Sequence, residues 1–483
     1  MLELPYRKEE FMPKFRSPLH SGRIVILGAG PCGLACASEL DRLGHRNWTL
    51  LEAAPNVGGL ASSVVDRAGF TWDLGGHVVF SHFREFDRLL GELFAPHELL
   101  HHDRSSYIRF RDRWVPYPFQ QHLHCLPQAD AEACLVSLTH ACQQREQTLP
   151  TDTDFATWLQ AQYGSGLVER FFAPYNTKVW AISPEKMSAG WVAERVAPVD
   201  LDEILAAFYG VKAPAPKWGP NSTFAFPSIG GTGEIWRRLG ARLGNRVRSR
   251  APATSIDPSA CLVRLESGEA VPYDQVVATL PLDRLAAMTT TSPPYVREAA
   301  RRLKHTTVAM VGLGYRAPTL DERSWFYFPE DDVPFYRATN FSKYAPANVP
   351  GADTTAFSSW MTEISMMPGT RVNQRALVKA ADAALRRHRL VPGLAELATA
   401  HVEMIPYAYP ISTLDRDEAL ALTVPWLEGQ ALYPRGRFGT WRYEIGNMDH
   451  AVKMGVDIAR RLVTGATEEL LSSQDAVPAG SRS

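Results

Sequence analysis

Residues 23–40 read RIVILGAGPCGLACASEL, and this stretch decides the fold. It opens with an apolar, β-branched run typical of a buried strand and closes with a segment of helical composition. Between the two, Gly28, Gly30 and Gly33 form the pattern G-x-G-x-x-G. The first glycine allows a tight turn, the second lets the backbone approach a pyrophosphate, and the third lets the helix pack closely on the strand. The stretch therefore predicts the strand–turn–helix unit of a dinucleotide-binding domain.

The segments that follow bear on which dinucleotide is bound. A second apolar strand ends in Glu52, about 20 residues beyond the last glycine of the motif, where a carboxylate can bind a ribose hydroxyl. Two glycine pairs come next, each with its neighbours: Gly58-Gly59-Leu60 with Ser62, and Gly75-Gly76-His77. The first pair can let the backbone run along the pyrophosphate and ribitol of a flavin nucleotide, and the second can let a loop pass against a flat ring. The motif alone leaves NAD or FAD open, and the glycine pairs favour FAD.

The composition of the whole chain excludes several classes of protein. Its 483 residues are 45% hydrophobic and carry a net charge of −1, so we expect two or three folded domains and no global attraction to nucleic acid or to a membrane. No apolar run approaches the ~18–20 residues of a membrane helix. The first 22 residues carry charges of both signs, unlike a secretion signal. The six cysteines form no C-x-x-C pair, so we expect a cytoplasmic protein without a metal site or structural disulfides.

The order of the predicted elements indicates an α/β fold. We expect a Rossmann-type FAD-binding domain in residues 20–85, 222–295 and 425–465, a helical substrate- and nucleotide-binding insertion in 120–215, and an antiparallel β-sheet substrate domain in 86–119 and 296–424. Helices are predicted over residues 130–160, 188–205, 236–243, 376–389 and 450–462. Strands are predicted over residues 247–276, in short pieces, and over 306–315 and 325–328. The tail, residues 466–483, is expected to be loose.

Seven blocks outside the nucleotide motif are distinctive. They are GGHVVFSH (75–82), WVPYPFQ (114–120), PYNTKVW (174–180), WVAER (191–195), WGPN (218–221), YFPEDDVPFYR (327–337) and GRFGTWRYEIGNMDH (436–450). In identity and order they closely resemble the UDP-galactopyranose mutase family, in its eukaryotic-type branch. The resemblance runs from about Arg23 to Thr464, which is nearly the whole chain.

The resemblance implies a flavin-dependent mutase that performs no net oxidation. Such an enzyme interconverts the pyranose and furanose forms of a nucleoside-diphosphate hexose, here UDP-galactopyranose and UDP-galactofuranose first of all. In this family N5 of the reduced flavin attacks the anomeric carbon and displaces the nucleoside diphosphate; the adduct opens as an iminium ion, the ring recloses through a different hydroxyl, and the nucleotide attacks back. FAD must first be reduced, and the resemblance implies NADPH or NADH as the reductant.

The resemblance also implies a set of catalytic residues. His77 lies on the family's mobile histidine loop, and the carbonyl of Gly76 senses protonation of N5. Arg337 matches the family's pyrophosphate arginine, because a guanidinium can fork onto two phosphate oxygens. Arg195 matches the second catalytic arginine, which helps to hold the substrate and the histidine loop. No excess of acids follows Arg337 in the sequence, so its charge is expected to meet the phosphates. The phosphate-binding tyrosines are Tyr327, Tyr344, Tyr409 and Tyr443.

Further binding residues follow from the same resemblance. Those assigned to the base are Tyr117, Gln120, Phe171 and Asn176. Those assigned to the sugar pocket are Trp180, Asn221, Trp325 and Asn447. Those assigned to the C-terminal flavin segment are Arg437, Gly446, Asn447, Met448, Asp449 and His450, with Met448 and Asp449 acting through backbone N–H groups. Arg104 and Ser106 match residues that grip the reducing nicotinamide nucleotide.

Three departures from the family pattern leave the base of the nucleotide open. Residues 121–124 read QHLH where asparagines are usual, Ala225 stands where an arginine is common, and Thr177 replaces a frequent aromatic residue. The alternative is the same chemistry on a GDP-hexose or another activated sugar in a bacterial specialised-metabolite pathway. An amine-oxidase-type flavin oxidoreductase and a non-catalytic nucleotide-sugar sensor are more distant alternatives. The short tail leaves the oligomeric state undecided.

Overall fold

The computed structural model describes residues 22–144, 153–192, 195–211, 219 and 221–475. The strands in this part of the chain are β1 Ile24–Leu27, β2 Trp48–Leu51, β3 Ser63–Val65, β4 Thr71–Asp73, β5 Leu99–Asp103, β6 Ser106–Phe110, β7 Arg113–Pro116, β8 Thr223–Pro227, β9 Val247–Arg248, β10 Ala253–Asp257, β11 Leu262–Leu265, β12 Ala270–Pro272, β13 Gln275–Ala278, β14 Lys304–Arg316, β15 Trp325–Tyr327, β16 Arg337–Asn340, β17 Ser358–Met366, β18 Glu396–Ile411 and β19 Leu432–Pro434. The helices are α1 Pro31–Arg42, α2 Arg84–Leu93, α3 Gln128–Gln143, α4 Phe155–Leu167, α5 Ala173–Trp180, α6 Leu201–Phe208, α7 Gly233–Leu243, α8 Leu282–Met288, α9 Pro294–Arg302, α10 Gln374–Arg387, α11 Arg416–Gly429, α12 Gly436–Gly439, α13 Met448–Thr464 and α14 Glu469–Asp475.

A five-stranded parallel sheet, in the order β19–β13–β1–β2–β9, carries the nucleotide motif. All four side chains of β1 are buried, because helices cover both faces of the sheet. Helices α1, α7 and α13 pack on one face, and α8, α9 and α11 pack on the other. The three chain segments that supply these strands are those predicted for the FAD-binding domain. The predicted α/β fold class is thus confirmed, while the exact domain limits stay a prediction.

A second, seven-stranded sheet lies beside the first in the order β18–β14–β17–β16–β15–β6–β7. Its strands pair antiparallel except for β15 and β6, which are parallel. The register places Arg337 of β16 directly opposite Glu363 of β17 on one side and opposite Tyr327 of β15 on the other. Three side chains from three strands are therefore neighbours in the middle of the sheet.

The helical insertion contains α3, α4, α5 and α6, with a core of aromatic side chains that includes Phe155, Trp180 and Trp191. The helix predicted over residues 188–205 is wrong for its first part. The described residues from Ser188 to Asp200 form turns and bridges, and the helix begins only at Leu201, where Asp200 caps the first turn. Ser188 instead joins β-like bridges, donating its backbone N–H to Ser412.

The beginning of the tail is ordered, contrary to the expectation of a loose segment. Helix α14 covers Glu469–Asp475, and Glu468 and Leu470 are buried. Glu468 forms ion pairs with Arg435, which is itself buried, and with Arg461. A buried arginine needs such a partner, so this contact holds the tail against the FAD-binding domain. Residues 476–483 lie outside the described part.

Within the described residues, no helix combines the length and the apolar character that a membrane crossing requires.

Candidate active site

The turn after β1 has the geometry of a dinucleotide cradle. Gly28 has a φ of +100°, and a Cβ built on Gly33 would lie 2.0 Å from the Gly28 carbonyl oxygen, so the helix lies directly on the turn. A Cβ on Gly30, by contrast, meets nothing within 4 Å. Both oxygens of Glu52 accept backbone hydrogen bonds, from Ala29 at 2.6 Å and Ala54 at 2.8 Å. The open space at Gly30, in front of an α1 N-terminus that no side chain caps, fits the pyrophosphate of FAD.

Replacing Gly30 with valine should therefore remove FAD without unfolding the protein. The valine side chain meets no protein atom at its Cβ, but it fills the space that a pyrophosphate needs. We expect a purified variant with little absorbance near 450 nm and a far-ultraviolet circular dichroism spectrum like that of the wild type. Gly33→Ala is the control, since its Cβ collides with the Gly28 carbonyl and should destabilise the fold itself. Full flavin content in Gly30→Val would contradict the cradle.

The first glycine pair lies against this cradle. Gly58 donates its N–H to the carbonyl of Ala29 at 2.8 Å, and a Cβ on Gly59 would lie 3.2 Å from the Cα of Gly30. Leu60 is half-buried between one face of the nucleotide domain and the core beside the seven-stranded sheet. The carbonyl of Ser62 accepts a 3.4 Å hydrogen bond from the N–H of Leu74. The structure thus brings the Gly58-Gly59 pair into contact with the G-x-G-x-x-G turn, although the two motifs are separated in the sequence.

The histidine loop begins at Gly75, which has a φ of +149°. The N–H of His77 donates to the Gly75 carbonyl at 2.8 Å, so the loop turns sharply at Gly76. Burial, together with the positive charges of Arg437 and Arg337, lowers the pKa of His77 to about 4, against the opposing effect of Glu363. His77 is consequently neutral near pH 7 and can donate or accept a hydrogen bond without adding a charge to the site.

Arg337 does not present a free charge, and this corrects the expectation drawn from the sequence. Its Nε and Nη2 donate to the two oxygens of Glu363 at 2.8 and 2.7 Å, a forked ion pair between neighbouring strands. The same carboxylate accepts from the backbone N–H of Gly76 at 2.9 Å and from the hydroxyl of Tyr336 at 2.6 Å. The acid that neutralises Arg337 lies 26 positions further along the chain, so the local sequence could not reveal it.

Arg195 and Arg437 are two further guanidinium groups of the site, and neither pairs with a carboxylate in the described part of the chain. Arg195 donates to Asn447 Oδ1 at 3.1 Å and to the carbonyls of Tyr443 and Glu444 at 3.3 and 2.9 Å. Arg437 donates to the carbonyls of Gly446 at 2.7 Å and Ala408 at 3.2 Å. Burial lowers the pKa of Arg437, yet a guanidinium stays charged at neutral pH. These two arginines therefore supply the net positive charge of the site.

Aromatic side chains wall the space around these arginines. The Arg195 guanidinium lies over the Tyr443 ring at 5.0 Å, and the Trp180 ring packs edge-on against Tyr443 at 4.8 Å. Tyr409 joins them through an edge contact of 5.7 Å with Tyr443 and a 3.2 Å hydroxyl contact with Tyr336. Burial raises the pKa of several tyrosines here, among them Tyr117, Tyr327, Tyr344 and Tyr409. They stay neutral hydrogen-bond donors, as binding of phosphate oxygens requires.

Several polar atoms at this place are buried with no hydrogen-bond partner in the described residues. They are His77 Nδ1, Ser106 Oγ, Trp325 Nε1, Thr339 Oγ1 and Tyr344 Oη. Most buried polar groups in native proteins are paired, so a cluster of unpaired ones points to a polar ligand. The cluster adjoins the histidine loop, since Thr339 Oγ1 would lie 3.2 Å from a Cβ on Gly76. The residues present at this loop therefore fit a polar ligand.

The residues assigned to the base are partly occupied by protein contacts. Gln120 is buried and donates its amide to the Ala197 carbonyl at 2.9 Å, and Asn176 donates to the Phe172 carbonyl at 2.8 Å. Phe171 is stacked on Phe119 with ring centroids 4.7 Å apart. Each amide keeps its oxygen and one N–H group for a base edge, and the assignment of Gln120 and Asn176 stays a prediction.

Arg104 joins the base region to the loop before β8. It donates to Asn221 Oδ1 and lies over the Tyr117 ring at 4.8 Å, while Tyr117 contacts Tyr327 at 5.5 Å. The structure therefore places Asn221 beside Arg104, and Trp325 lies with Tyr327 on β15, 6.4 Å away between rings. Trp218 and residues 193–194, which belong to two of the distinctive blocks, lie outside the described residues.

The C-terminal segment closes the site at the N-terminus of α13. Asn447 precedes the first helical residue, Met448, so the N–H groups of Met448 and Asp449 point out of the helix end without intrahelical partners. Asp449 is buried; burial raises its pKa, but hydrogen bonds from His450 and His82 outweigh this and hold it at about 2. This anchor fixes the end of the histidine loop, at His82, to α13.

Sequence reasoning missed Glu363 and Tyr336, which organise the centre of the site. Tyr336 stands inside a quoted block without a role, and Glu363 lies in none. One signal was present: Glu363 is the only charged residue in β17, a strand whose first seven side chains are all buried. A lone acid in a buried strand requires a cationic partner.

Comparison with known proteins agrees with this geometry. Residues 31–445 match the family of flavin containing amine oxidoreductases. A crystal structure of reduced UDP-galactopyranose mutase has a TM-score of 0.89 and 37% sequence identity, covering 95% of this chain and 97% of that chain. A putative protoporphyrinogen oxidase from Exiguobacterium sp. 255-15 has a TM-score of 0.71 at 17% identity over 92% of this chain and 99% of that chain, a likeness of fold alone.

Curated relatives by sequence are more distant. The putative flavin-containing monoamine oxidase AofH of Mycobacterium tuberculosis is 25% identical over 336 residues, 67% of each protein. The zeta-carotene desaturase of Zea mays is 37% identical over only 78 residues, so the match spans 16% of this chain and 14% of that relative. The identity of 37% to the UDP-galactopyranose mutase structure is instead sustained over 95% of this chain. The chain therefore belongs to the UDP-galactopyranose mutase family, a group of flavin-dependent isomerases within the flavin containing amine oxidoreductases.

Proposed function

We propose that the protein interconverts the pyranose and furanose forms of a nucleoside-diphosphate hexose, with UDP-galactopyranose and UDP-galactofuranose as the first candidates. FAD, once reduced by NADPH or NADH, would supply the nucleophile for the anomeric carbon of the sugar. The reaction changes no net oxidation state, so the protein must bind, orient and shield the substrate. The substrate is a nucleotide sugar, and neither nucleic acid nor a membrane takes part in the proposal.

One observation carries this proposal: two uncompensated guanidinium groups lie in a wall of tyrosines next to the histidine loop. Within the described part of the chain, Arg195 and Arg437 bind only amide and carbonyl oxygens, so their positive charge can meet an anionic ligand. A nucleoside diphosphate carries negative charge that the nearly neutral chain can meet only locally. An oxidase of amines would have no need for this charge, because its substrate is a cation.

The chain's own residues have separate tasks in this proposal. Arg195 and Arg437 supply uncompensated positive charge to the pyrophosphate, and Arg337 donates to it with the N–H groups that its ion pair leaves unused. The hydroxyls of Tyr344 and Tyr409 donate to its oxygens. The aromatic wall excludes water, which strengthens these interactions. His77 stays neutral and can exchange a hydrogen bond with the sugar without repelling the arginines. Together they keep the leaving nucleotide in place so that it can attack the rearranged sugar again.

The test is turnover under anaerobic conditions. The protein, with its FAD reduced by dithionite, is offered UDP-galactofuranose and a GDP-hexose in parallel, and the ring form of each product is determined by chromatography and NMR. Conversion of the UDP sugar is the expected result. Conversion of the GDP sugar alone would mean that the reaction type is as proposed but that the substrate is a GDP-hexose. Conversion of neither by enzyme that holds reduced FAD would contradict the proposal.

The second candidate, a GDP-hexose, is favoured by the environment of one departure from the family pattern. His122 is buried, and its Nδ1 lies 3.0 Å from the carbonyl of Pro118 in the segment that carries Tyr117 and Gln120. Its ring contacts His124 at 5.8 Å. A histidine built into this segment can alter the shape of the base pocket, and the parallel assay distinguishes the two nucleotides.

A further inference from the structure

A single buried carboxylate connects the histidine loop with the arginine of the central sheet. Oε1 of Glu363 accepts from the N–H of Gly76 at 2.9 Å and from Nε of Arg337 at 2.8 Å. Oε2 accepts from the hydroxyl of Tyr336 at 2.6 Å and from Nη2 of Arg337 at 2.7 Å. Each oxygen therefore accepts two hydrogen bonds, and the side chain is only 2% exposed. The carboxylate has no acceptor capacity left for a substrate.

Glu363 also stays ionised. Burial raises the pKa of this carboxyl, but the charge of Arg337 and the hydrogen bonds from Tyr336, Arg337 and Gly76 outweigh burial and keep the pKa below its usual range. A group that is always charged and always saturated cannot act as a general acid or base. Its influence on the reaction must pass through the groups that it holds.

We propose that Glu363 is a positioning residue that couples the conformation of the histidine loop to the orientation of the Arg337 guanidinium. The proposal deepens the proposed function and rests on it, because it concerns the same nucleotide-sugar site. The loop has little freedom beside this pair: a Cβ on Gly76 would lie 3.2 Å from Oε1 of Glu363 and 3.3 Å from Cζ of Arg337. A movement of the loop at Gly76 must therefore displace the ion pair as well.

The fork between Glu363 and Arg337 also decides which edge of the guanidinium can reach a phosphate. A guanidinium has five N–H groups, and the Nε and Nη2 edge is turned towards Glu363. The other N–H groups lie along the Nη1–Nη2 edge, which is a second fork of the same geometry. Glu363 thus selects the edge and the angle at which Arg337 meets its ligand. Its negative charge also offsets most of the positive charge that Arg337 brings to the site.

These roles predict that binding and turnover respond differently to Glu363→Gln. The glutamine side chain has no negative charge, and its NH₂ group faces an N–H group of Arg337 where an acceptor oxygen stood. The positive charge of Arg337 is then no longer neutralised, and its guanidinium is less well oriented. We expect UDP to bind at least as tightly as to the wild type, with up to about 5-fold lower Kd, since the positive charge of the site increases. Turnover should fall by about 10- to 100-fold, because orientation of the loop and of the arginine is lost.

The experiment uses the holoenzyme and four measurements: the Kd of UDP, kcat on the preferred nucleotide sugar, the absorption spectrum of bound FAD, and the melting temperature. The spectrum reports on the loop without any turnover. Asp382→Asn is the matched control, because Asp382 also accepts from a tyrosine, Tyr315, and from an arginine, Arg386, but outside the site. We expect this control to have a lower melting temperature than the wild type. Its Kd and kcat should stay within about 2-fold of the wild-type values, and its FAD spectrum should be unchanged.

Two outcomes would overturn the inference. One is a Glu363→Gln enzyme whose Kd, kcat and FAD spectrum all match those of the wild type. The other is a parallel loss of UDP binding, turnover and FAD that follows the melting temperature, as the control would show for a purely structural acid. Failure of the proposed function is distinguishable from both, because it would appear in the wild type as absence of turnover. The spectrum and the UDP titration still test Glu363 in that event.

Discussion

Replacing Arg337 with alanine is expected to destabilise the protein by about 3–5 kcal/mol and to remove nearly all activity. The substitution leaves Glu363, which is 2% exposed, as a buried carboxylate without its cation. Gly76 and Tyr336 still donate to it, but two neutral donors do not replace a forked guanidinium. The free energy of unfolding, measured by urea denaturation of variant and wild type, tests the first part of this prediction.

The stability difference between the wild type and Arg337→Ala should depend on pH, and the pKa of Glu363 fixes the direction of this dependence. In the wild type the pKa of Glu363 is depressed in the folded state, so the pair contributes stability above the carboxyl's unfolded pKa of 4.5, and this stability is lost as the pH falls through the depressed value. In Arg337→Ala burial is no longer opposed by the arginine, so the folded pKa rises. The difference in stability between variant and wild type should then shrink as the pH is lowered towards the unfolded value.

A double variant separates stability from catalysis. Arg337→Met combined with Glu363→Gln removes both charges at once, and replacing a buried ion pair by a neutral pair of similar volume is often tolerated. We expect most of the lost stability to return, and FAD to remain bound, because the nucleotide cradle is formed by other residues. Activity should not return. An Arg337→Ala enzyme as stable as the wild type would show that Glu363 does not depend on Arg337.

The strand, turn and helix of the nucleotide motif could be predicted from the sequence, because their signals are local. The turn at Gly28, the open position at Gly30 and the close packing at Gly33 lie within six residues of one another. Gly28 needs the positive φ that glycine allows, Gly33 has no room for a Cβ, and Gly30 leaves space for a ligand. Glu52 follows at the end of the next strand, where the parallel sheet places it beside the turn. The family resemblance then extended this interpretation to the substrate side.

The centre of the site could not be predicted in the same way, because it depends on which strands are neighbours. Arg337 and Glu363 face each other only through the register of β16 and β17, and Gly76 reaches the same carboxylate from a loop 287 positions away. The prediction of a loose tail missed a long-range contact in the same way. Its Ser-, Ala- and Glu-rich composition suggested a loose segment, yet Glu468 forms an ion pair with the buried Arg435. Long-range pairing of charges leaves no periodic trace in a sequence.

Arg195→Ala is expected to lower kcat by about 10²–10³ while the fold and the FAD content stay intact. Unlike Arg337, Arg195 has no carboxylate partner among the described residues; its acceptors are the Asn447 side chain and the carbonyls of Tyr443 and Glu444. Loss of the guanidinium therefore leaves no buried charge behind, and the melting temperature should change little. Arg301→Ala, which removes an exposed guanidinium paired with Glu298 on the surface, is the control for general effects of arginine removal.

Arg195→Lys distinguishes the charge of this residue from its geometry. Lysine keeps the positive charge, so the affinity for UDP should recover to within about 10-fold of the wild type, but its ammonium cannot donate to Asn447 and Glu444 while it also forks onto a phosphate. We therefore expect kcat to remain low. Recovery of both Kd and kcat in the lysine variant would mean that Arg195 acts as a point charge only. The contacts of Arg195 with the α13 N-terminus argue for the forked role, because they fix the guanidinium plane that the phosphates must meet.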